Sequence, residues 1–469
     1  MSKILLINTS FPSGNIRVRD SFFPPLGLLT IATSLIESGF DVKLVDPQLD
    51  ANYENSIEQI MKDRPLFVGM TTFMGTNLSN AIKLSERVKK LDSDIPIIWG
   101  GPLATSSPTL CLKNAPIDYI VMGMGEETVV RISNKLKKGE KIDDLENVSF
   151  NKNNKIVLKS NYFFSGNLDK LHYPKLDLWK EGIIKKGTIP ILSSRGCPRN
   201  CSFCYNNTFT GRKKWYGRTK NNVMEEMDYW ANYFNINRFY FVDDNFLVDT
   251  KRACEILESN IKRNYTITQI LGHMNDFKPE ILSLISNYIK HVGFSIESAS
   301  PTIQQLLNKP INLDHALTMM ENFTKTEIEK ITTNFLFGFP TETDNDILLS
   351  IEMATKIRNL NNNIRIIPYI YTPQPKDDIV AKYNLLDSIN FSLDNLSTID
   401  LAPNRSCVLS EELRPWMNKE DIRFYLDLVL VWFYHFDYVV RRSQDIDIDS
   451  IFERNSRLAR LFKNVQKPL

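Results

Sequence analysis

Arg195-Gly196-Cys197-Pro198-Arg199-Asn200-Cys201-Ser202-Phe203-Cys204-Tyr205-Asn206 gathers half of the six cysteines of this 469-residue chain into one C-x3-C-x2-C run. The run follows a β-rich segment, Ile189–Ser194, that opens a new series of strand and helix patterns. Arg238–Val242, Thr266–Leu271, Val292–Glu297, Thr332–Phe337 and Arg365–Tyr371 continue the strands. Helical periodicity falls between them at Val223–Phe234, Lys251–Lys262, Pro279–Ile289, Leu313–Thr324 and Asp344–Arg358. Six such units within residues 189–375 are too few for a closed eight-unit barrel, which takes about 250 residues. A partial (β/α)6 barrel of the TIM type is predicted, with the cysteines just after its first strand.

Upstream, a similar rhythm covers residues 1–140. Lys3–Asn8, Asp41–Val45, Leu66–Thr71, Ile95–Trp99 and Ile117–Met122 read as five strands. Helices are expected at Leu26–Ser38, Glu54–Asp63, Asn77–Leu91, near Ser107–Lys113 and at Glu126–Lys137. Runs rich in Ile, Val and Leu alternating with helices indicate parallel strands covered on both faces. The fold class is therefore α/β, beginning with a Rossmann-like or flavodoxin-like doubly wound sheet. Residues 141–188 are polar and turn at Asn151–Lys155, as a connecting hairpin and linker would. Residues 376–469 read as a mainly helical region with one strong helix at Lys419–Arg442.

Fifty-seven basic against 55 acidic side chains leave a net charge of +2, which makes no electrostatic case for nucleic acid. The opening MSKILLINTS leads straight into a strand pattern and lacks the apolar core and cleavage site of a signal peptide. Phe424–Val440 is apolar but contains Asp427, His435 and Asp437, and is short of the roughly 20 residues that a membrane span needs. A cytoplasmic location without a membrane span is expected. The aromatic residues of that stretch, with Trp416, suit a core or domain contact better than a substrate cage.

Thiolates are the ligands of iron–sulfur clusters, and four of them saturate a four-iron cluster. Three thiolates leave one iron open to an outside ligand. A zinc site would need a fourth nearby Cys or His, yet the next histidine is His273. Buried structural thiols have no reason to adopt this spacing. Cys111, Cys254 and Cys407 stand alone, and no disulfide framework is indicated. The metal ligands expected are Cys197, Cys201 and Cys204.

This triplet, with aromatic Phe203 before its last cysteine, resembles the signature of the radical S-adenosylmethionine (SAM) superfamily. The resemblance spans residues 189–375 and implies a 4Fe–4S cluster whose open iron chelates SAM. It further implies reductive cleavage of SAM to methionine and a 5′-deoxyadenosyl radical. Similar positions recur at the strand ends, where barrels place their chemistry. Phe241-Val242-Asp243-Asp244-Asn245-Phe246 ends the second strand, Glu297 the fourth, and Gly338-Phe339-Pro340 follows the fifth. On this resemblance Phe203, Asp243, Glu297, Gly338 and Pro340 are expected near the cofactor. Tyr205 and Tyr371 are catalytic candidates, and Asn206, Arg212 and Arg218 are candidate pocket residues. Each of these last five would serve equally well as a structural hydrogen-bonding group or a solvated charge.

An open α/β sheet binds ligands beyond the carboxyl ends of its strands. Here those ends supply Thr71, Thr72 and Thr76, then Gly100, Gly101 and Pro102, then Gly123, Gly125 and Glu126. Ordinary turn chemistry would favour the same residue types. No G-x-G-x-x-G follows the first strand, which argues against a dinucleotide. Together with Pro24-Pro25-Leu26-Gly27-Leu28, the segments resemble the cobalamin-binding domain of cobalamin-dependent radical SAM enzymes. The Asp-x-His-x-x-Gly motif is missing and no histidine precedes His172, so no histidine of this domain can sit below cobalt.

The resemblance implies methylation of an unactivated carbon through methylcobalamin. A rearrangement, oxidation or ring closure with the same cofactors is the alternative. It also implies a small-molecule or natural-product substrate and an external one-electron reductant of flavodoxin or ferredoxin type. An RNA methylthiotransferase would add a second cysteine trio and a basic appendage, neither of which is present in the sequence. A non-catalytic cobalamin carrier would not need the three cysteines.

Overall fold

Lys3–Ile7 reads KILLI, and Ile4 to Ile7 are each no more than 1% exposed, as suits a strand covered on both faces. In the computed structural model, which describes residues 2–11, 23–159, 166–361, 364–399, 411–437 and 446–466, this strand (β1) lies inside a seven-stranded sheet. The others are β2 (Asp41–Val45), β3 (Val68–Thr71), β4 (Ile97–Gly100), β5 (Tyr119–Val121), β6 (Val148–Lys152) and β7 (Lys155–Val157). Their order is β2-β1-β3-β4-β5-β6-β7, parallel through β5 and antiparallel beyond it. Chain direction across the sheet reverses between β1 and β3, the crevice at which doubly wound sheets bind ligands.

The five parallel strands and their helices fall close to the segments predicted. The helix expected near Ser107–Lys113 is instead two, Pro102–Ser106 and Pro108–Asn114. Each begins on a proline, which is pre-set for a first helical turn and breaks the turn before it. The segment expected as hairpin and linker packs as part of this first unit. Its hairpin extends the sheet as β6 and β7, and Trp179 donates its indole N–H to buried Asp46 at 2.6 Å. The unit comprises Met1–Gly187 and two later stretches, Tyr205–Gly211 and Phe391–Ile399. Within it, Gly75 N–H donates to Leu396 C=O at 2.8 Å, so the later helix Leu393–Ser397 rests on the turn after β3.

The second unit comprises Thr188–Cys204, Arg212–Asn390 and Asp400–Leu469. Its six parallel strands are β8 (Ile189–Ile191), β11 (Arg238–Phe241), β12 (Thr266–Leu271), β13 (His291–Glu297), β14 (Lys330–Phe337) and β15 (Arg365–Ile370). They run in chain order across one open sheet, the partial barrel predicted. Most helices between them start on side-chain caps, and Thr219, Asp249, Asn312 and Thr343 each accept a first-turn N–H; Pro279–Tyr288 starts on its proline instead. A small antiparallel pair, β9 (Ser194–Gly196) with β10 (Trp215–Gly217), was not predicted.

Lys419–Phe436 forms the long C-terminal helix, with a capping box between Asn418 and Asp421. Trp432 packs against Phe335 and Phe337 of β14 and donates to Ile366 C=O on β15 at 3.0 Å. Its aromatic stripe is therefore core. Cys407 lies outside the described residues. Among the described residues, no helix is long and apolar enough to cross a membrane.

Candidate active site

β9 delivers the chain into the cysteine loop, which several bonds within the second unit fasten down. Gly196 N–H donates to Asp244 at 2.9 Å and Ser202 N–H to Leu307 C=O at 2.8 Å. Ser202 C=O accepts from Asp378 N–H at 3.0 Å, and Asn200 C=O accepts from Asn308 at 2.8 Å. Cys197, Cys201 and Cys204 are half-buried and free of disulfides. Burial pushes the Cys197 and Cys201 thiols up, so they ionise only when a strong positive partner replaces the proton. Three soft donors held on one immobile loop, with a cation needed to release their protons, fit an iron–sulfur cluster.

Buried charge of both signs lies near this loop. Glu297 ends β13 at a bulge with φ of 64°, a left-handed conformation that non-glycine residues rarely adopt and that re-aims the side chain. Its carboxylate accepts from Lys309 Nζ at 2.8 Å, with both side chains about nine-tenths buried. The charges of this pair act on the Cys201 sulfur. His273 follows β12, and burial, reinforced by the Lys309 and Arg199 charges, pushes its imidazole down to about 3. It is a neutral group. Lys309 and His273 carried no local sequence signal, because their placement depends on contacts distant in the chain.

Several expectations are corrected. Asp243 is 1% exposed, and its oxygens accept from Ser193 N–H at 3.2 Å, Ser193 Oγ at 2.7 Å and Ser194 Oγ. Its carboxylate is taken up bracing the chain that enters β9, and its neighbour Asp244 meets the cysteine loop at Gly196. Tyr371 is 2% exposed, stacks between Phe339 and Trp416, and donates to Asp377 at 2.7 Å. Such a phenol is a packing residue. Arg212 bridges Asn200 and Asp378, and Arg218 forms a buried pair with Glu226. Both are structural. Phe203 and Phe339 pack in one apolar cluster with Ile303, Leu306 and Leu307. Gly338 has φ of 82°, and its carbonyl accepts from Trp416 Nε1 at 3.1 Å. That left-handed φ explains its glycine, and an added Cβ would also lie 2.8 Å from Met417 Cε. Pro340, two residues on, is partly exposed.

In the first unit, the strand ends divide into buried and open positions. Thr72 is buried and its hydroxyl holds the next turn, donating to Gly100 C=O at 3.0 Å and accepting from Ala104 N–H at 3.3 Å. A Cβ on Gly101 would stand 3.0 Å from the Thr72 backbone, so this glycine serves strand-to-turn packing. Gly123 donates to buried Thr105 at 3.0 Å, Gly125 faces Ile31 and Val121, and Glu126 is 5% exposed in the first turn of its helix. Thr71, Gly100 and Pro102 are partly exposed, Thr76 is exposed, and Phe73 beside them is 43% exposed. A Cβ on Gly100 would meet nothing closer than 3.7 Å. The partly exposed Gly100 and the unburied Phe73 ring give a ligand accessible surface at these strand ends. Tyr205 belongs to this unit, where Asn207–Gly211 packs on the helix Pro102–Ser106; it is not part of the barrel.

Comparison with known proteins agrees with both readings. The radical SAM superfamily model matches residues 191–354, and that of the B12-binding domain matches residues 12–133. An uncharacterized methyltransferase, PH0819, of Pyrococcus horikoshii is 28% identical over 458 residues, covering 94% of this chain and 97% of the relative. The radical SAM methyltransferase TsrM of Kitasatospora setae superposes with a TM-score of 0.69 at 16% identity, over 90% of this chain and 84% of TsrM. The cobalamin-dependent SAM radical enzyme OxsB gives 0.72 at 14% identity, over 98% of this chain and 72% of OxsB. A B12-binding domain followed by a radical SAM domain, each on the fold its sequence predicted, places this chain among the cobalamin-dependent radical SAM enzymes, which use a 4Fe–4S cluster, SAM and cobalamin.

Proposed function

We propose that this enzyme methylates an unactivated carbon of a small molecule, with Cys197, Cys201 and Cys204 as the cluster ligands. The observation that carries the reading is the thiol triplet beside the strand ends of a six-stranded parallel sheet, in a chain that also has a B12-binding sheet. Methyltransferase-named PH0819 aligns along nearly the whole chain, which supports methyl transfer. When bound, the cluster supplies the electron that cleaves SAM, and cobalamin supplies a methyl carrier.

The protein's own part is positioning. The loop bonds of Gly196, Asn200 and Ser202 hold the three sulfurs in place. The Glu297–Lys309 pair offers charges of both signs to the ammonium and carboxylate of SAM. In the first unit, Thr71, Thr76, Gly100 and Pro102 are the proposed cobalamin contacts. An external one-electron donor of flavodoxin or ferredoxin type reduces the cluster, and no nucleic acid takes part. The site of action is the cytoplasm.

The test is anaerobic turnover with SAM carrying a deuterated methyl group, using extracts of small molecules as substrate pools. Transfer of the labelled methyl to a small molecule, with 5′-deoxyadenosine formed alongside, supports the proposal. Formation of 5′-deoxyadenosine with products that never carry the label would favour rearrangement or ring closure.

A further inference from the structure

Asn206 is 6% exposed, yet its Oδ1 is shut off from solvent and finds no donor among the described residues. The backbone around it is satisfied. Thr210 Oγ1 donates to Asn206 C=O at 3.1 Å, and Tyr205 C=O accepts from Thr208 N–H and Phe209 N–H, both at 3.0 Å. Asn207–Gly211 then winds as a π-helix, a wide turn that is rare and often lies at functional sites. The stretch Tyr205–Gly211 belongs to the first unit, where it packs on the helix Pro102–Ser106. Gly100 and Gly101 lead into that helix from the end of β4. The orphan amide thus stands at the edge of the strand-end region where the cobalamin contacts are proposed. A buried amide oxygen without a donor costs stability, which a ligand supplying the missing donor would restore.

We propose that Asn206 is a cobalamin contact, its amide pairing with a side-chain carboxamide of the corrin ring. Corrin carboxamides carry N–H donors and a C=O acceptor, so they supply the donor that Oδ1 lacks and match both ends of an asparagine side chain. A trapped water is the other donor open to Oδ1, and it would leave cobalamin affinity indifferent to this residue. The inference rests on the proposed cobalamin site of the first unit. It adds to that site a residue from outside the B12-binding stretch 12–133, two positions beyond Cys204.

The experiment is equilibrium dialysis of hydroxocobalamin against full-length protein reconstituted anaerobically with iron and sulfide. Wild type is compared with Asn206→Leu, which is close in size, and with Asn206→Ala. Iron content, SAM binding by calorimetry and the Tm of the cobalamin-free protein are measured on each. A variant that keeps wild-type iron and SAM affinity is expected to bind hydroxocobalamin about tenfold more weakly, because a corrin amide is left unpaired. Its cobalamin-free Tm should be level with wild type or higher, since the oxygen removed had no partner. A residue that only braces its loop would lower that Tm. Wild-type cobalamin affinity in a variant that keeps its iron and Tm overturns the inference and leaves the proposed function standing. Weaker SAM binding with cobalamin affinity unaffected would give the donor to SAM and overturns it too. Loss of iron or a fall in Tm in both variants assigns Asn206 to the cysteine loop or to packing and likewise overturns it. Wild-type protein that takes up no cobalamin overturns the first-unit cobalamin site and this inference with it.

Discussion

Replacing Glu342 with Gln should make this protein resist alkaline pH better. Glu342 Oε2 accepts from Gly338 N–H at 2.7 Å and Tyr425 O–H at 3.0 Å, closing the turn after β14. Burial of this carboxyl outweighs those two bonds and pushes it from 4.5 up to about 8. A raised folded-state value means that the folded protein keeps a proton which the unfolded chain releases. The stability it contributes is fully present below about pH 4.5 and is lost as pH rises through about 8. At 1.36 kcal/mol per unit the whole loss is about 5 kcal/mol, and about 1.4 kcal/mol of it falls between pH 7 and pH 9. Glutamine keeps an acceptor for Gly338 and Tyr425 and does not ionise. Thermal unfolding of wild type and Glu342→Gln, followed anaerobically at pH 7, 8 and 9, should show the variant gaining about 3–6 °C on the wild type over that range. A gap that stays constant, or narrows toward pH 9, would refute the reasoning.

Three other outcomes are expected. Arg218→Met should lower stability by about 3–5 kcal/mol in denaturant unfolding, because it strands the fully buried Glu226 carboxylate, and adding Glu226→Leu should restore part of that. Lys309→Met should weaken SAM binding at least tenfold by calorimetry, with wild-type iron content retained. Gly101→Ala should reduce cobalamin uptake on reconstitution and leave iron uptake unchanged, because its Cβ would press on the Thr72 backbone within the first unit.

The parts of this fold readable from sequence are those where burial is symmetric or chemistry depends on spacing. β1 and β12 were legible because continuous apolar or β-branched runs leave few other conformations. The cysteine triplet was legible because its metal chemistry requires that spacing. Ile189–Ser194 was expected as one strand, yet β8 ends at Ile191. Ser193 turns there, giving its N–H to Asp243 and its C=O to Arg218 N–H and Arg252. That break depends on Arg252, far along the chain, and no local pattern encodes it. β9 and β10 were missed for a similar reason, since three-residue strands of mixed polarity gain their stability from pairing across the loop.

Within Asp243-Asp244-Asn245, the direction of each side chain depends on the turn after β11. Residue type alone could not separate the buried strut Asp243 from Asp244, which holds the cysteine loop at Gly196. Lys309 and Glu297 come together only through the bulge and the helix Pro301–Leu306. Gly338 and Gly101 were expected to let a ligand approach the backbone; both have positive φ, and a Cβ at either would meet this chain's own Met417 or Thr72.

The most direct test of the central claim is cofactor content after anaerobic reconstitution with iron, sulfide and hydroxocobalamin. Wild type would be compared with a Cys197→Ala/Cys201→Ala/Cys204→Ala variant by iron and cobalt analysis, visible absorption and EPR. Wild-type protein is expected to hold about four irons and one cobalamin, with the variant losing the iron alone. Wild type without a cluster, or a triple variant that keeps its iron, would contradict the account.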